Sequence, residues 1–171
     1  MEKLVSPTRG TRFIGIANHS PSMLESLLKS AKIKPKIHQF EGHPYLRQDK
    51  FVDLNFKHNI TVVNYAPLGN TSPTYASTGA GAPKLLTNKV ITEIAKERNC
   101  APVQVVLGWN LSRKVIVIPK AIRKAHQVEN FKSLDCKLTA EDVAKIQAMK
   151  YNIRMLSYPC AQAANACFAG L

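Results

Sequence analysis

Residues 115–130, VIVIPKAIRKAHQVEN, run from an apolar strand through Pro119-Lys120 and a basic turn into a helix that carries Glu129 and Asn130. A strand that delivers a lysine and several backbone N–H groups to a helix N-terminus is built to hold an anion, because the lysine charge and the helix dipole point at one spot. Phosphate is the obvious candidate. Two earlier segments complete the pattern: IGIANHS at 14–20 and VVNYAPLGN at 62–70. The chain contains neither G-x-G-x-x-G nor G-x-x-x-x-G-K-[ST], so the two commonest phosphate-binding sheets lose support.

The elements that must position these residues are short β-branched runs alternating with helical patterns, the signature of repeated βα units and a parallel sheet. Residues 12–17 read as a strand. Ser20-Pro21 then supplies an N-cap and a proline at the first helical position, with Met23, Leu24, Leu27, Leu28 and Ala31 on one apolar face. A second strand at 36–40 leads through the turn EGHPY to a helix at 47–58, stopped by Asn59, and 60–65 is the third strand. The segment 66–83 is rich in Gly, Pro, Ser, Thr and Ala and is longer than a structural βα loop needs to be. Helices follow at 89–98 and 102–112, a fourth strand at 115–118, a helix at 125–134, and a last helix opened by the capping box TAED at Thr139, with Val143, Ile146 and Met149 inward. Four βα units make either a small open α/β sheet or half of an eight-fold barrel.

A chain of 171 residues fits one domain with a substantial core. No run approaches the roughly 18 apolar residues of a membrane span, and the opening MEKLVSPTRGTRF has no apolar signal core. A soluble, cytoplasmic protein is the expectation, with no membrane partner. The net charge of +13 is spread along most of the chain without an aromatic-interleaved basic motif, which argues against nucleic acid and for a phosphate-bearing ligand on a generally basic surface. Cys100, Cys136, Cys160 and Cys167 form no CxxC, so neither a zinc ribbon nor a disulfide framework is indicated, and reduced, structurally incidental thiols are expected.

Four motifs occur in order at matching separations. IGIANHS resembles the IGVSNF strand of the aldo-keto reductases, HQFEGHPYL resembles their NQxExHPYL, VVNYAPLG resembles A-Y-S-P-L-G, and VIVIPKAIRKAHQVEN resembles V-I-P-K with the helix after it. Even MEKLV looks like the end of that family's fourth barrel helix. The resemblance covers nearly everything to about Lys150; residues 151–171 form a divergent tail of the single 1–171 domain. It implies a parallel (β/α) TIM-barrel type of α/β fold, about half a barrel comprising the last four βα units. The implied activity is hydride transfer between NADP(H), or NAD(H), and a small carbonyl or alcohol, at the C-terminal ends of the strands.

By that resemblance, Asn18 and Gln39 are similar to the residues that hydrogen-bond the nicotinamide carboxamide, and Tyr65 to the tyrosine whose ring stacks on the nicotinamide. Leu68 and Asn70 lie where the family's loop approaches the pyrophosphate. Lys120 corresponds to the lysine that pairs with cofactor phosphate, and Glu129 and Asn130 to the pair that holds the adenine. Each has a structural alternative: Asn18 as a turn cap, Gln39 as a satisfier of backbone, Tyr65 as a core aromatic. His43, in the turn, reads as a hydrogen-bonding tether.

Three departures bear on the cofactor. Ala17 and Ala121 stand where the family has serines, and His126 stands where an arginine grips the adenosine 2′-phosphate. An imidazole lacks the bidentate fork of a guanidinium, although Arg123 and Lys124 are close in sequence. The family's catalytic tyrosine, lysine, aspartate and histidine come from its first four strands and match no position here, so no catalytic residue is assigned and the chain alone is expected to be inactive. The rival reading is a catalytically dead binding or regulatory remnant of the same fold. Four strands of an eight-stranded barrel also leave two open edges, which self-association with a second copy, docking onto a separate N-terminal half, loose packing or a fragmentary gene would each account for.

Overall fold

The computed structural model describes residues 1–6, 10–69 and 83–156. Its elements alternate as β1 (Gly15–Ala17), α1 (Pro21–Ser30), β2 (Ile37–Glu41), α2 (Asp49–Lys57), β3 (Thr61–Tyr65), α3 (Lys89–Glu97), α4 (Pro102–Ser112), β4 (Ile116–Val117), α5 (Lys124–Phe131) and α6 (Ala140–Gln147). The strands form one parallel sheet in the order β1-β2-β3-β4. A doubly wound sheet reverses its strand order at a switch point, whereas an unbroken sequential order is an arc of a (β/α) barrel. The half-barrel expectation therefore holds.

Packing divides the chain into two compact units, and β2 and β3 contribute residues to both. The first comprises Met1–Phe40 and Gln48–Val63 among the described residues. Here β1 lies parallel to β2 in the register Gly15↔Ile37, Ile16↔His38, Ala17↔Gln39. Helix α1 starts where its sequence says it should: the Ser20 hydroxyl accepts the Met23 N–H at 3.2 Å and Pro21 occupies the first turn. Only Leu24 of its apolar face is fully buried, and Met23, expected inside, is exposed. The Phe51 ring of α2 packs on Phe40 at 4.9 Å between centroids, and Asn59 ends that segment at φ 57°, a left-handed conformation that asparagine tolerates.

The second unit comprises Glu41–Arg47 and the described residues from Asn64 to Leu156. Its core gathers Tyr45, Ile91, Ile94, Val105, Val106, Trp109 and Ile146. Helix α4 is buried almost all round, with Val105, Val106 and Trp109 inaccessible. Its sequence puts Val103, Val106, Leu107 and Leu111 on one apolar side, yet Val105 and Trp109 are inaccessible as well, because the helix is packed on more than that side. Asn88 caps α3 by accepting the Val90 N–H at 2.9 Å and donates to the buried Tyr45 hydroxyl at 2.8 Å. Burial pushes that phenol's pKa up. At α6, Thr139 and Asp142 close the expected capping box, and Arg98 grips the Asp142 carboxylate with Nε at 2.6 Å and Nη2 at 3.1 Å. The hydrogen bond from Arg98 holds the Asp142 carboxyl below the usual range.

The expectation of unbridged thiols fails at one pair. Cys100, between α3 and α4, is disulfide-bonded to Cys136, between α5 and α6, with Cα atoms 6.0 Å apart. A separation of 36 residues with no motif spacing gives a sequence reading nothing to find. Cys160 and Cys167 lie outside the described residues.

Candidate cofactor site

In the first unit, two of the nominated residues are neighbours. Asn18 leaves β1 with φ 53°, and its N–H donates to the Gln39 carbonyl on β2 at 2.9 Å. Gln39 itself is half-buried opposite Ala17. The left-handed turn is a conformation asparagine adopts readily, which gives this position a backbone reason to be asparagine beside any ligand role.

Between these residues lies a histidine that no motif singled out. The His38 ring is inaccessible and accepts the His19 N–H at Nε2 (3.2 Å), while Nδ1 lies 2.9 Å from Asn55 Oδ1. A backbone N–H can only donate, so Nε2 carries no proton and Nδ1–H donates to Asn55, whose own amide donates to the Phe51 carbonyl at 2.8 Å. Charging this ring has no compensation. Burial, with the nearby His19 adding to it against the Asn55 hydrogen bond, lowers the His38 pKa to about 4. The unfolded chain then binds the proton that the folded chain refuses. The contribution of His38 is fully present above the unfolded value of 6.5 and is lost as pH falls from there toward about 4. We expect about 2 kcal/mol of unfolding free energy to disappear between pH 7 and pH 4.5 from this ring. Urea titrations at the two pH values check it against His38→Asn, which should flatten that part of the slope; an unchanged slope would dismiss the assignment.

In the second unit, Tyr65 ends β3 half-buried. The chain then turns through Ala66 at φ 48°, with the Gly69 N–H donating to the Ala66 carbonyl at 2.9 Å, and Gly69 itself takes φ 70°. Leu68 packs against the core, and Asn70 lies outside the described residues. The Ile118 N–H donates to the Asn64 carbonyl at 3.2 Å, so the segment leading to Lys120 leaves from beside the strand that carries Tyr65. Lys120 is exposed. Helix α5 starts after Arg123, and among the described residues no side chain caps its first N–H groups. Those groups, with Lys120, Arg123 and Lys124 in the approach, are what an anion site requires.

His126 and Glu129, three apart and on one face of α5, line an open cleft of about 670 Å³ with Gln104, Lys124 and Lys132. Gln104 braces that wall: its amide donates to the Glu129 carbonyl at 3.3 Å while its oxygen accepts the Ala101 N–H at 2.8 Å. Asn130, the sequence neighbour of Glu129, instead lines a second cleft of about 360 Å³ with Pro119, Ala121 and Phe131. One step along a helix turns a side chain by about 100°, which separates the two.

A second cluster in this unit was only half anticipated. Glu41 is inaccessible, and its carboxylate accepts from His43 Nε2 (3.0 Å), the Met155 N–H (2.6 Å), the Leu156 N–H (3.3 Å) and Arg154 Nη1 (3.5 Å). The tether expected of His43 is thus directed at Glu41. The E-G-H spacing of two, which puts both side chains on one side of extended backbone, was the signal available.

The family model "Aldo/keto reductase family" matches residues 9–150. The chain belongs to the aldo/keto reductase family. An aldo/keto reductase of Synechocystis sp. is 37% identical over 144 residues, covering 84% of this chain and 44% of that relative. The 9,11-endoperoxide prostaglandin H2 reductase of Trypanosoma cruzi is 36% identical over 155 residues, covering 91% of this chain and 51% of that protein. Among solved structures, an aldose reductase from Schistosoma japonicum superposes with a TM-score of 0.84 at 30% identity, over 98% of this chain and 51% of that one. The chain thus spans about half the length of the aldo/keto reductases it matches. Members of the family are oxidoreductases that use nicotinamide cofactors.

Proposed function

We propose that this chain supplies the cofactor-holding half of an aldo/keto reductase, an oxidoreductase that moves hydride between NADP(H) and a small carbonyl or alcohol. The observation that carries the reading is the uncapped start of α5, a few residues on in sequence from exposed Lys120, opening on the cleft lined by His126 and Glu129. Backbone N–H groups and a lysine would take a phosphate, and the cleft has room for a nucleoside. The cofactor, when bound, supplies or accepts the hydride. Asn18 and Gln39 would hold the carboxamide and Tyr65 the nicotinamide face, while Leu68 and Asn70 would lie along the pyrophosphate. Lys120 and His126 would meet phosphate and Glu129 the adenine, whereas Asn130, which faces the neighbouring cleft, would join it only from that side. Because His126 lacks a guanidinium fork, we propose a narrower preference for NADPH over NADH than an arginine would give, with NAD(H) still accepted.

Thermal unfolding of the full chain tests this. NADPH at about 100 times its dissociation constant should add about 2.7 kcal/mol to stability. Lys120→Ala should weaken NADPH binding by about tenfold or more, the worth of one charge-assisted hydrogen bond. No shift at millimolar NADPH overturns the reading.

The rival reading is a binding or regulatory protein of the same fold without turnover. Aldehyde reduction by the purified chain with NADPH would eliminate it; we expect none from the chain alone. Among the described residues the sheet ends on β1 and β4, and Ile116 and Ile118 are nearly half exposed at the β4 edge. On these grounds we propose self-association, read by light scattering. The one-domain reading of 1–171 with a divergent 151–171 tail, checked by limited proteolysis, and a cytoplasmic location, checked by fractionation, complete the proposal. Among the described residues no helix is long and apolar enough to cross a membrane.

A further inference from the structure

The Cys100–Cys136 bond closes a covalent loop, and Lys120, His126, Glu129 and Asn130 all lie inside it. Its two ends are not remote from the cleft. Ala101, adjacent to Cys100, donates its N–H to Gln104, and Gln104 donates in turn to the Glu129 carbonyl. At the other end, the Cys136 side chain is 7% exposed and belongs to the core, and its carbonyl lies against α4, 3.5 Å from where a Cβ on Gly108 would stand. The crosslink therefore fixes both ends of the segment that carries the cleft wall, one of them through a two-step hydrogen-bond path.

We propose that Cys100 and Cys136 form a thiol–disulfide switch that sets the affinity of the α5 cleft for its adenosine-phosphate ligand. This rests on the cofactor reading above. Cys100 is partly exposed and Cys136 is buried, so attack by an external thiol is assigned to Cys100. With glutathione as the co-reactant, its thiolate attacks Cys100 Sγ, the S–S bond breaks, and Cys136 leaves as a thiolate that takes a proton. A second glutathione thiolate attacks the mixed disulfide, releasing the Cys100 thiolate, which also takes a proton. Two electrons and two protons enter the protein and one glutathione disulfide leaves. Oxidation is the reverse. In the oxidised form the brace from Ala101 through Gln104 to Glu129 is anchored; in the reduced form the loop ends separate and the brace is held by hydrogen bonds alone. A thiol-buffered compartment admits both states, and an oxidising one locks the first.

The test uses the full chain carrying C160S and C167S, so that only this pair titrates. After equilibration with glutathione disulfide, N-ethylmaleimide should add nothing; after excess reduced glutathione, it should add twice. Amide hydrogen exchange across 120–130 should accelerate on reduction, and NADPH should bind about fivefold or more weakly, a coupling of ordinary allosteric size. C100S with C136S should match the reduced form under both conditions, and chemical reduction of the unsubstituted pair gives the same comparison if that variant folds poorly. Two maleimide additions after oxidation, or equal NADPH affinity in the two redox forms, overturns the switch. Absence of NADPH binding to the oxidised form overturns the cofactor reading and the coupling with it, and is told apart from failure of the switch alone, in which NADPH binds both forms equally.

Discussion

Replacing Glu41 by alanine is expected to remove about 3–5 kcal/mol of unfolding free energy, the cost of deleting one partner from a buried ionic cluster. The carboxylate is inaccessible and, among the described residues, takes four donors: His43, Arg154 and the N–H groups of Met155 and Leu156. Without it, two backbone N–H groups and an imidazole N–H lose their acceptor in a site with little water to replace it. The loss extends along the chain. Residues 151–156 are held to the second unit by this clasp, by the Ile153 N–H donating to the Tyr45 carbonyl at 2.7 Å, and by the Tyr151 ring 4.4 Å from that of Tyr45. Glu41→Ala should therefore also speed tryptic cleavage after Arg154. Glu41→Gln keeps the volume but turns an N–H₂ group toward donors, and should cost less than alanine while still being destabilising. Urea unfolding of the two variants decides the matter; a Glu41→Ala loss within about 1 kcal/mol of zero would mean that packing, not the carboxylate, holds the segment.

What the sequence made legible was what is local. Ser20-Pro21 and Thr139 through Asp142 announce helix starts because the cap, its acceptor and the N–H it serves lie within four residues, and both were found where expected. Strand ends were less legible, because a strand is defined by its neighbour. Residues 12–17 read as a strand, yet the ladder covers only Gly15–Ala17, since pairing with β2 begins where the Lys36 N–H meets the Ile14 carbonyl. Likewise 115–118 shrank to Ile116–Val117. The candidate site divides in the same way. Asn18 beside Gln39 follows from two parallel strands in register, whereas the divergence of Glu129 and Asn130 into separate clefts needs the rotation of α5 about its own axis, which no motif encodes. The donors to Glu41 from 154–156 and the bridge from Cys100 to Cys136 are long-range pairings whose partners carry no spacing signal. His38 was hidden for another reason: on a strand, a single buried polar residue looks like any other interruption of an apolar run.

Gly42→Ala tests the other buried polar arrangement, with an expected loss of about 3 kcal/mol, the upper end of ordinary overpacking. A Cβ at Gly42 would overlap the Asn64 side chain, contacting its amide nitrogen, its Cγ and its Oδ1. That side chain cannot swing aside freely. Asn64 is inaccessible and donates to Asn110 Oδ1 at 3.0 Å, while Asn110 donates to the Val106 carbonyl one turn back in α4 at 3.1 Å. The backbone is no freer, because the Gly42 N–H donates to the Tyr65 carbonyl at 3.3 Å. Relief must come from breaking the Asn64–Asn110 bond or from shifting the strand end that carries Tyr65. The two routes have different signatures in a double-mutant cycle. Asn64→Ala alone should be destabilising, since it strands Asn110 Oδ1; combined with Gly42→Ala it should recover part of the alanine's cost, giving a favourable coupling above about 1 kcal/mol if the clash is with the side chain. Additive costs would instead locate the strain in the backbone. In that case NADPH affinity should fall as Tyr65 moves, which links a glycine with no side chain to the proposed nicotinamide face.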